Sequence, residues 1–215
     1  MSPSSLEQVR GGTIALAAEI SATLVSPMIP PGDVIRVLHE AGVRFVLSGA
    51  YALNVWTDTP RATVDVDALV TADDHPAAVA AVRAAYPGLE VEQHEVVTRF
   101  LAPEIGRVVI DLMRPSDAFL QAVFEHTSAA EIGGREVLIP ALEMAAAMKF
   151  AAMVSPWREL SKKYIDAGDF IAIVTIHPEL DLDRLAGLAE LLYQGAGHEV
   201  RRLADDARAG RRLSF

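Results

Sequence analysis

The segment 47–67, LSGAYALNVWTDTPRATVDVD, limits what this chain can fold into more than any other stretch. Residues 44–47 form a short run with β-branched and aromatic members, Ser48, Gly49 and Ala50 break it, and 51–56 resume with helical spacing. Strand, turn, helix is the natural parse. A polar linker over 57–60 then leads into 63–70, where Thr63, Asp65 and Asp67 alternate with Val64, Val66 and Ala68 at the period of a half-buried strand. One strand over 63–70 would carry both carboxylates on one face, roughly 7 Å apart.

This pairing of turn and acids has a chemical reading. At a helix N-terminus the first N–H groups lack intrahelical partners and the dipole is positive, so phosphate oxygens are received there. Gly49 allows their close approach. Two carboxylates on one face suit Mg²⁺, a hard ion that takes one or two protein carboxylates and completes its shell with water and phosphate oxygens.

A third carboxylate lies downstream. Residues 107–113, RVVIDLM, are the most strand-like run in the chain, yet Asp111 sits in their middle. An isolated buried carboxylate is costly. A metal ion, or a place on the wet end of the sheet beside Asp65 and Asp67, removes that cost. The strand of Asp111 is therefore expected next to the strand of Asp65 and Asp67.

Around this centre, Pro30-Pro31-Gly32-Asp33 marks a boundary, with Asp33 expected to cap a helix over 34–41. A helix is expected from 73 to about 86, then strands near 89–95, 97–101 and 107–113. Alternating elements of this kind predict an α/β (α+β) fold with a mixed sheet. From Pro140 onward the pattern is helical, with segments over 141–153, 160–175, 182–193 and a last one to 208. The expected organisation is an N-terminal helical extension over 1–31, a core over 32–138 and a helical C-terminal subdomain over 139–215.

Composition bounds the function. With 215 residues, 51% hydrophobic and 22% charged, the chain can bury a large core. It has no cysteine, which excludes disulfides, thiolate nucleophiles and cysteine zinc sites. The six histidines show no zinc-ligand spacing and read as structural or solvated. No apolar run reaches the ~20 residues of a membrane span, and no signal peptide is evident, so a cytoplasmic protein with no membrane partner is expected. Net charge is −10, which disfavours broad nucleic-acid binding. Arg201, Arg202, Arg208, Arg211 and Arg212 are expected to form a local basic patch.

The run GAYAL (49–53), then PRATVDVDALV (60–70), then VVIDLM (108–113) resembles the nucleotidyltransferase superfamily of DNA polymerase β. It is most similar to the bacterial branches that hold AbiEii-type toxins and minimal antibiotic nucleotidyltransferases. IPALEMAAAMKFAAM (139–153) and KKYIDAGDF (162–170) extend the likeness, which spans more than half the chain. The resemblance implies that Ser48 and Gly49 hold the triphosphate, that Asp65 and Asp67 bind metal, and that Asp111 ligates metal or helps deprotonate the acceptor. It further implies that Arg61 and Thr63 sit beside the phosphates, that Lys149 neutralises phosphate charge, and that Lys163 with Asp166 and Asp169 shapes a further wall. In one departure, Ala50 stands where many relatives carry a second Gly or Ser.

Several of these residues have plainer readings. Lys149 can snorkel over Ala145 and Ala146. Lys162 and Lys163 can form helix-face ion pairs with Asp166 and Asp169, each worth a few tenths of a kcal/mol. Arg61 can pair with Asp58, and Tyr51 can be core rather than a stacking partner for a base.

The implied activity is metal-dependent transfer of a nucleoside monophosphate from an NTP to an acceptor hydroxyl, with Mg²⁺ or Mn²⁺. Two settings fit: the toxin of a toxin–antitoxin or phage-defence pair, acting on tRNA or another cellular acceptor and countered by a cognate antitoxin, or a small-molecule enzyme of the antibiotic-modifying kind. The third possibility is a degenerate member that binds nucleotide or a partner without turnover.

Overall fold

The computed structural model describes residues 29–215. Of the expected N-terminal extension only the last three residues fall within them. The described chain divides into two units: 29–55 with Thr59–Ser116 and Ser128–Ile139, and Trp56–Asp58 with Asp117–Thr127 and Pro140–Phe215.

The first unit is the expected mixed α/β structure. Its helices are α1 (Pro31–Glu40), α2 (Gly49–Leu53) and α3 (His75–Ala85), and its main strands are β1 (Phe45–Leu47), β2 (Val66–Val70), β3 (Glu90–Gln93), β4 (Val97–Ala102) and β5 (Arg107–Met113). The five strands form one sheet in the order β1-β2-β5-β4-β3. Only β2 and β5 run parallel; the other neighbours are antiparallel. The strand of Asp111 therefore does lie beside the strand of Asp67.

Strand alternation sorts the two faces. Val66, Ala68, Ile110, Leu112, Thr98 and Phe100 occupy registered positions and are all buried. Helix α3 packs on β5, and α1 packs on α3. His75 ties helix to sheet, its Nε2–H donating to the Leu112 carbonyl at 3.1 Å. Asp67, Asp111 and Arg99 take the opposite parity.

Several boundaries differ from the sequence expectation. Strand β2 begins at Val66, so Asp65 precedes it instead of lying within it. Helix α1 begins at Pro31, where a missing N–H costs nothing, and Asp33 sits in the first turn without a side-chain cap bond. Helix α2 ends at Leu53. A hairpin of β6 (Thr127–Ile132) and β7 (Arg135–Pro140) was not expected. Its Gly133-Gly134 turn has φ of 61° and 72°, the pair of positive φ values that a type I′ hairpin requires.

The second unit is helical, as expected of the C-terminal half: α4 (Ala118–Ala122) with a short 3₁₀ turn, α5 (Leu142–Val154), α6 (Leu160–Ile176), α7 (Leu182–Ala189) and α8 (Ala196–Arg208). Helix α5 packs on α6 and α7, and α8 on α6 and α7. Met144, Phe150, Phe170, Ile173, Leu185 and Leu203 are fully buried among them. Trp56 anchors this unit by donating Nε1–H to the Pro140 carbonyl at 3.0 Å, and His177 Nε2–H donates to the Trp56 carbonyl at 3.0 Å.

The expected basic patch is largely absorbed by pairing. Arg201 meets Asp183, while Arg202 and Arg211 share Asp206. Arg208 closes the C-terminus of α6 by donating to the Val174 and His177 carbonyls at 2.9 and 3.1 Å. Among the described residues no helix is long and apolar enough to cross a membrane.

Candidate functional site

The turn and the acids meet in the first unit. The Ser48 N–H donates to the Asp67 carbonyl at 2.8 Å, extending the β1–β2 ladder by one residue. Gly49 follows with φ of 64°, and a Cβ placed on it would stand 1.8 Å from Asp67 Oδ2 and 2.7 Å from its Cγ. No L-side chain fits there. The turn backbone is thus pressed against the first strand carboxylate, an approach open to glycine alone.

Ser48 is 2% exposed, and its Oγ finds no hydrogen-bond partner among the described residues. Buried hydroxyls are ordinarily bonded. Its exception falls at the same turn, next to the aspartate.

The turn also settles what Ala50 does. The left-handed position belongs to Gly49, and no residue other than glycine has positive φ among those described. Ala50 lies inside α2 and is 3% exposed, so its methyl fills core and leaves the turn unchanged. Tyr51 is likewise 3% exposed and packs as core.

Across the sheet, Asp67 stands in register with Asp111, Asp111 with Arg99, and Arg99 with Glu92. These four side chains form one polar row over β2, β5, β4 and β3. Arg99 Nε lies 3.7 Å from Asp111 Oδ1. Asp65 lies one residue ahead of β2, its Oδ1 accepting from the Thr63 hydroxyl. The approach to Asp65 is pinned by Asn54, which is 4% exposed. Its Nδ2 donates to the Arg61 carbonyl at 3.0 Å, and its Oδ1 accepts from the Arg61 N–H at 2.9 Å. That pair of hydrogen bonds to the backbone of one residue fixes where the linker re-enters the sheet.

Among the described residues no group of three His, Asp or Glu side chains is gathered as a ready-made metal cage. What the sheet offers is a pair of registered carboxylates, the first of them packed against a turn that only glycine can form. That donor set fits a hard ion that takes few protein ligands and shares the rest of its shell with phosphate and water. It is a poor match for zinc, which prefers nitrogen and sulfur donors.

The second unit holds the other expected residues. Lys149 Nζ lies 2.9 Å from Asp166 Oδ1 and 2.7 Å from Asp169 Oδ2. Arg158 donates through Nε to Asp166 Oδ2 at 2.9 Å, with its second nitrogen at 2.8 Å. Asp166 is 2% exposed, so this is a buried ion cluster rather than a row of helix-face pairs. Lys163 lies half-buried in the first turn of α6.

Sequence reasoning missed Asn54, Arg99 and Arg158. Asn54 and Arg158 act through tertiary partners that no local pattern marks. Arg99 was the nearest to legible, because it alternates with Thr98 and Phe100 on a strand, but only the pairing of β4 with β5 sets it against Asp111.

A family model described as the nucleotidyl transferase AbiEii toxin of a type IV toxin–antitoxin system matches residues 35–213. Comparison with curated protein sequences gives no match. Among solved structures, an antigenic nucleotidyltransferase-like protein from Paracoccidioides brasiliensis superposes with a TM-score of 0.52 at 16% identity, over 98% of this chain and 96% of that one. The two share a fold. The lincomycin-bound lincosamide adenylyltransferase LnuA gives a TM-score of 0.46 at 15% identity, over 66% and 94% of the two chains. ANT(2")-Ia in complex with adenylyl-2"-tobramycin gives 0.44 at 16%, over 82% and 94%. The last two likenesses bear on neither acceptor nor mechanism.

Proposed function

Because this chain belongs to the nucleotidyl transferase AbiEii toxin family, we propose that it moves a nucleoside monophosphate from an NTP to an acceptor hydroxyl at the row begun by Asp67 and Asp111. The observation that carries this reading is the contact of the Gly49 turn with Asp67, in register with Asp111. The glycine turn and the carboxylate pair are held against each other by one piece of backbone.

In this reading Asp67 and Asp111 would hold Mg²⁺ or Mn²⁺, with Asp65 as the third carboxylate. Bound there, the ion would neutralise charge on the triphosphate and on the leaving pyrophosphate. The turn receives phosphate oxygens through the Gly49 N–H and the Ser48 hydroxyl, the Ser48 N–H being held by the Asp67 carbonyl. Asn54 fixes the linker that carries Arg61, Thr63 and Asp65, and these residues would line the same site. The acceptor oxygen bonds to the α-phosphorus, the bond from that phosphorus to the bridging oxygen breaks, pyrophosphate leaves, and the hydroxyl proton passes to Asp111 or to water. Positioning and charge neutralisation do the catalytic work.

The family match supports a toxin role and, with it, a cognate antitoxin. For the acceptor, the pairing of the C-terminal arginines with Asp183 and Asp206 favours a small molecule over tRNA, since few free cations remain in that segment to grip a phosphate backbone. Incubation with each α-labelled NTP, Mg²⁺ and either total tRNA or a panel of aminoglycosides tests this directly. Label on an acceptor supports transfer and identifies it. NTP binding with no label on any acceptor would overturn the catalytic reading in favour of a binding protein. Growth arrest on expression, relieved by an adjacent gene product, tests the toxin role.

A further inference from the structure

The polar row does not end at the carboxylates. Arg99 occupies the next registered position on β4, with Nε 3.7 Å from Asp111 Oδ1, and its side chain is 44% exposed against 19% for Asp111. On its other side, β3 places Glu92 in register with it. Arg99 is therefore flanked by a carboxylate on each neighbouring strand, one half-buried in the row and one toward the sheet edge.

Two registered carboxylates on adjacent strands repel each other. Before any metal enters, Asp67 and Asp111 need positive charge nearby, and Arg99 is the cation the sheet supplies in register. The same charge opposes entry of a divalent cation at Asp111. A guanidinium on a long, half-exposed side chain can yield that place, and Glu92 is the carboxylate beside which it can settle.

We propose that Arg99 is the resting counter-cation of the acid row, that it surrenders Asp111 when a divalent cation binds, and that Glu92 receives it. Arg99 is then a positioning residue that sets the metal affinity of the site and offsets the repulsion between the ligand carboxylates when no metal is bound. The inference rests on the reading of Asp67 and Asp111 as metal ligands. It adds a competitor and an exchange partner to the carboxylates of that reading.

The test is a Mn²⁺ titration of the full chain, with free Mn²⁺ counted by electron paramagnetic resonance, on wild type, Arg99→Gln, Arg99→Lys, Glu92→Gln and Asp67→Asn. Removing the competing charge should tighten Mn²⁺ binding about threefold in Arg99→Gln, the scale of a partly exposed ion pair. Arg99→Lys keeps the charge and should stay near wild type. Glu92→Gln removes the exchange partner and should weaken binding, the opposite sign. A general loss of structure cannot produce both. Unchanged or weaker binding in Arg99→Gln, with wild-type binding that Asp67→Asn abolishes, overturns this inference and leaves the metal site intact. Binding that Asp67→Asn does not affect overturns the metal reading itself and this inference with it.

Discussion

A methyl group on Gly49 would lie 1.8 Å from the Oδ2 of Asp67, so the Ser48–Gly49 turn and the first strand aspartate are built against each other. Gly49→Ala meets two obstacles, this clash and a φ of 64°. Strained backbone alone costs on the order of 1–3 kcal/mol, and Asp67 must also turn away. The variant should melt lower and lose transfer even where it stays folded. Thermal unfolding followed by circular dichroism, beside a transfer assay, checks both; full transfer by a folded Gly49→Ala would separate the turn from the site.

Asn54 offers a subtler change. Its side chain bonds both the N–H and the carbonyl of Arg61, and each such hydrogen bond contributes about 1 kcal/mol net. Asn54→Ala should lower stability by about 2 kcal/mol and raise KM for the NTP more than it lowers kcat, because it loosens the linker that carries Arg61 and Thr63. Steady-state kinetics well below the melting temperature make the split visible. A fall in kcat with KM unchanged would place Asn54 elsewhere in the mechanism.

Lys149 is held between Asp166 and Asp169, with Arg158 closing the other side of Asp166. Losing the Lys149 ammonium leaves Asp166 with Arg158 alone and takes this cation from Asp169, a break in a buried cluster that costs about 3 kcal/mol. Lys149→Met should therefore unfold at markedly lower urea. If the ammonium served only to neutralise phosphate charge, the same variant would keep its stability and raise KM alone, and urea unfolding beside kinetics distinguishes the two.

The first half of this site could be read directly from sequence. Alternation placed Asp67 on a strand, and the cost of burying Asp111 among Val, Ile, Leu and Met put its strand next door. Both inferences rest on local periodicity and on one unfavourable burial. Asp65 was misplaced because alternation continues past the point where the ladder starts: a run of alternating residues does not say where its hydrogen-bonding partner begins. The Gly133-Gly134 hairpin carried a clear turn signal, but its strands are only weakly alternating. Arg99, Arg158 and Asn54 depend on which strand or helix lies opposite, and composition and spacing do not encode that.

His75 gives the sheet a pH dependence. Burial pushes its pKa below the ordinary value near 6.5, although its bond to the Leu112 carbonyl opposes this. A histidine kept neutral in the fold binds its proton more readily when unfolded. Its contribution is thus fully present above pH 6.5, declines as pH falls through 6.5 toward the lower folded value, and is lost beneath it. Urea unfolding between pH 8 and 5 should show stability falling on the acid side of this window, and His75→Gln should flatten that fall. An unchanged slope in the variant would assign it to other groups.

The central claim, that Asp67 holds a divalent cation for nucleotide transfer, is tested most directly by measuring label transferred from an α-labelled NTP by wild type and by Asp67→Asn. Wild type should transfer label with Mg²⁺ or Mn²⁺ and none in excess chelator, and Asp67→Asn, folded as judged by its unfolding transition, should lose activity by ~10³-fold or more, the scale of removing a charge-stabilising group. Transfer by wild type in chelator, or wild-type rates from Asp67→Asn, would contradict it.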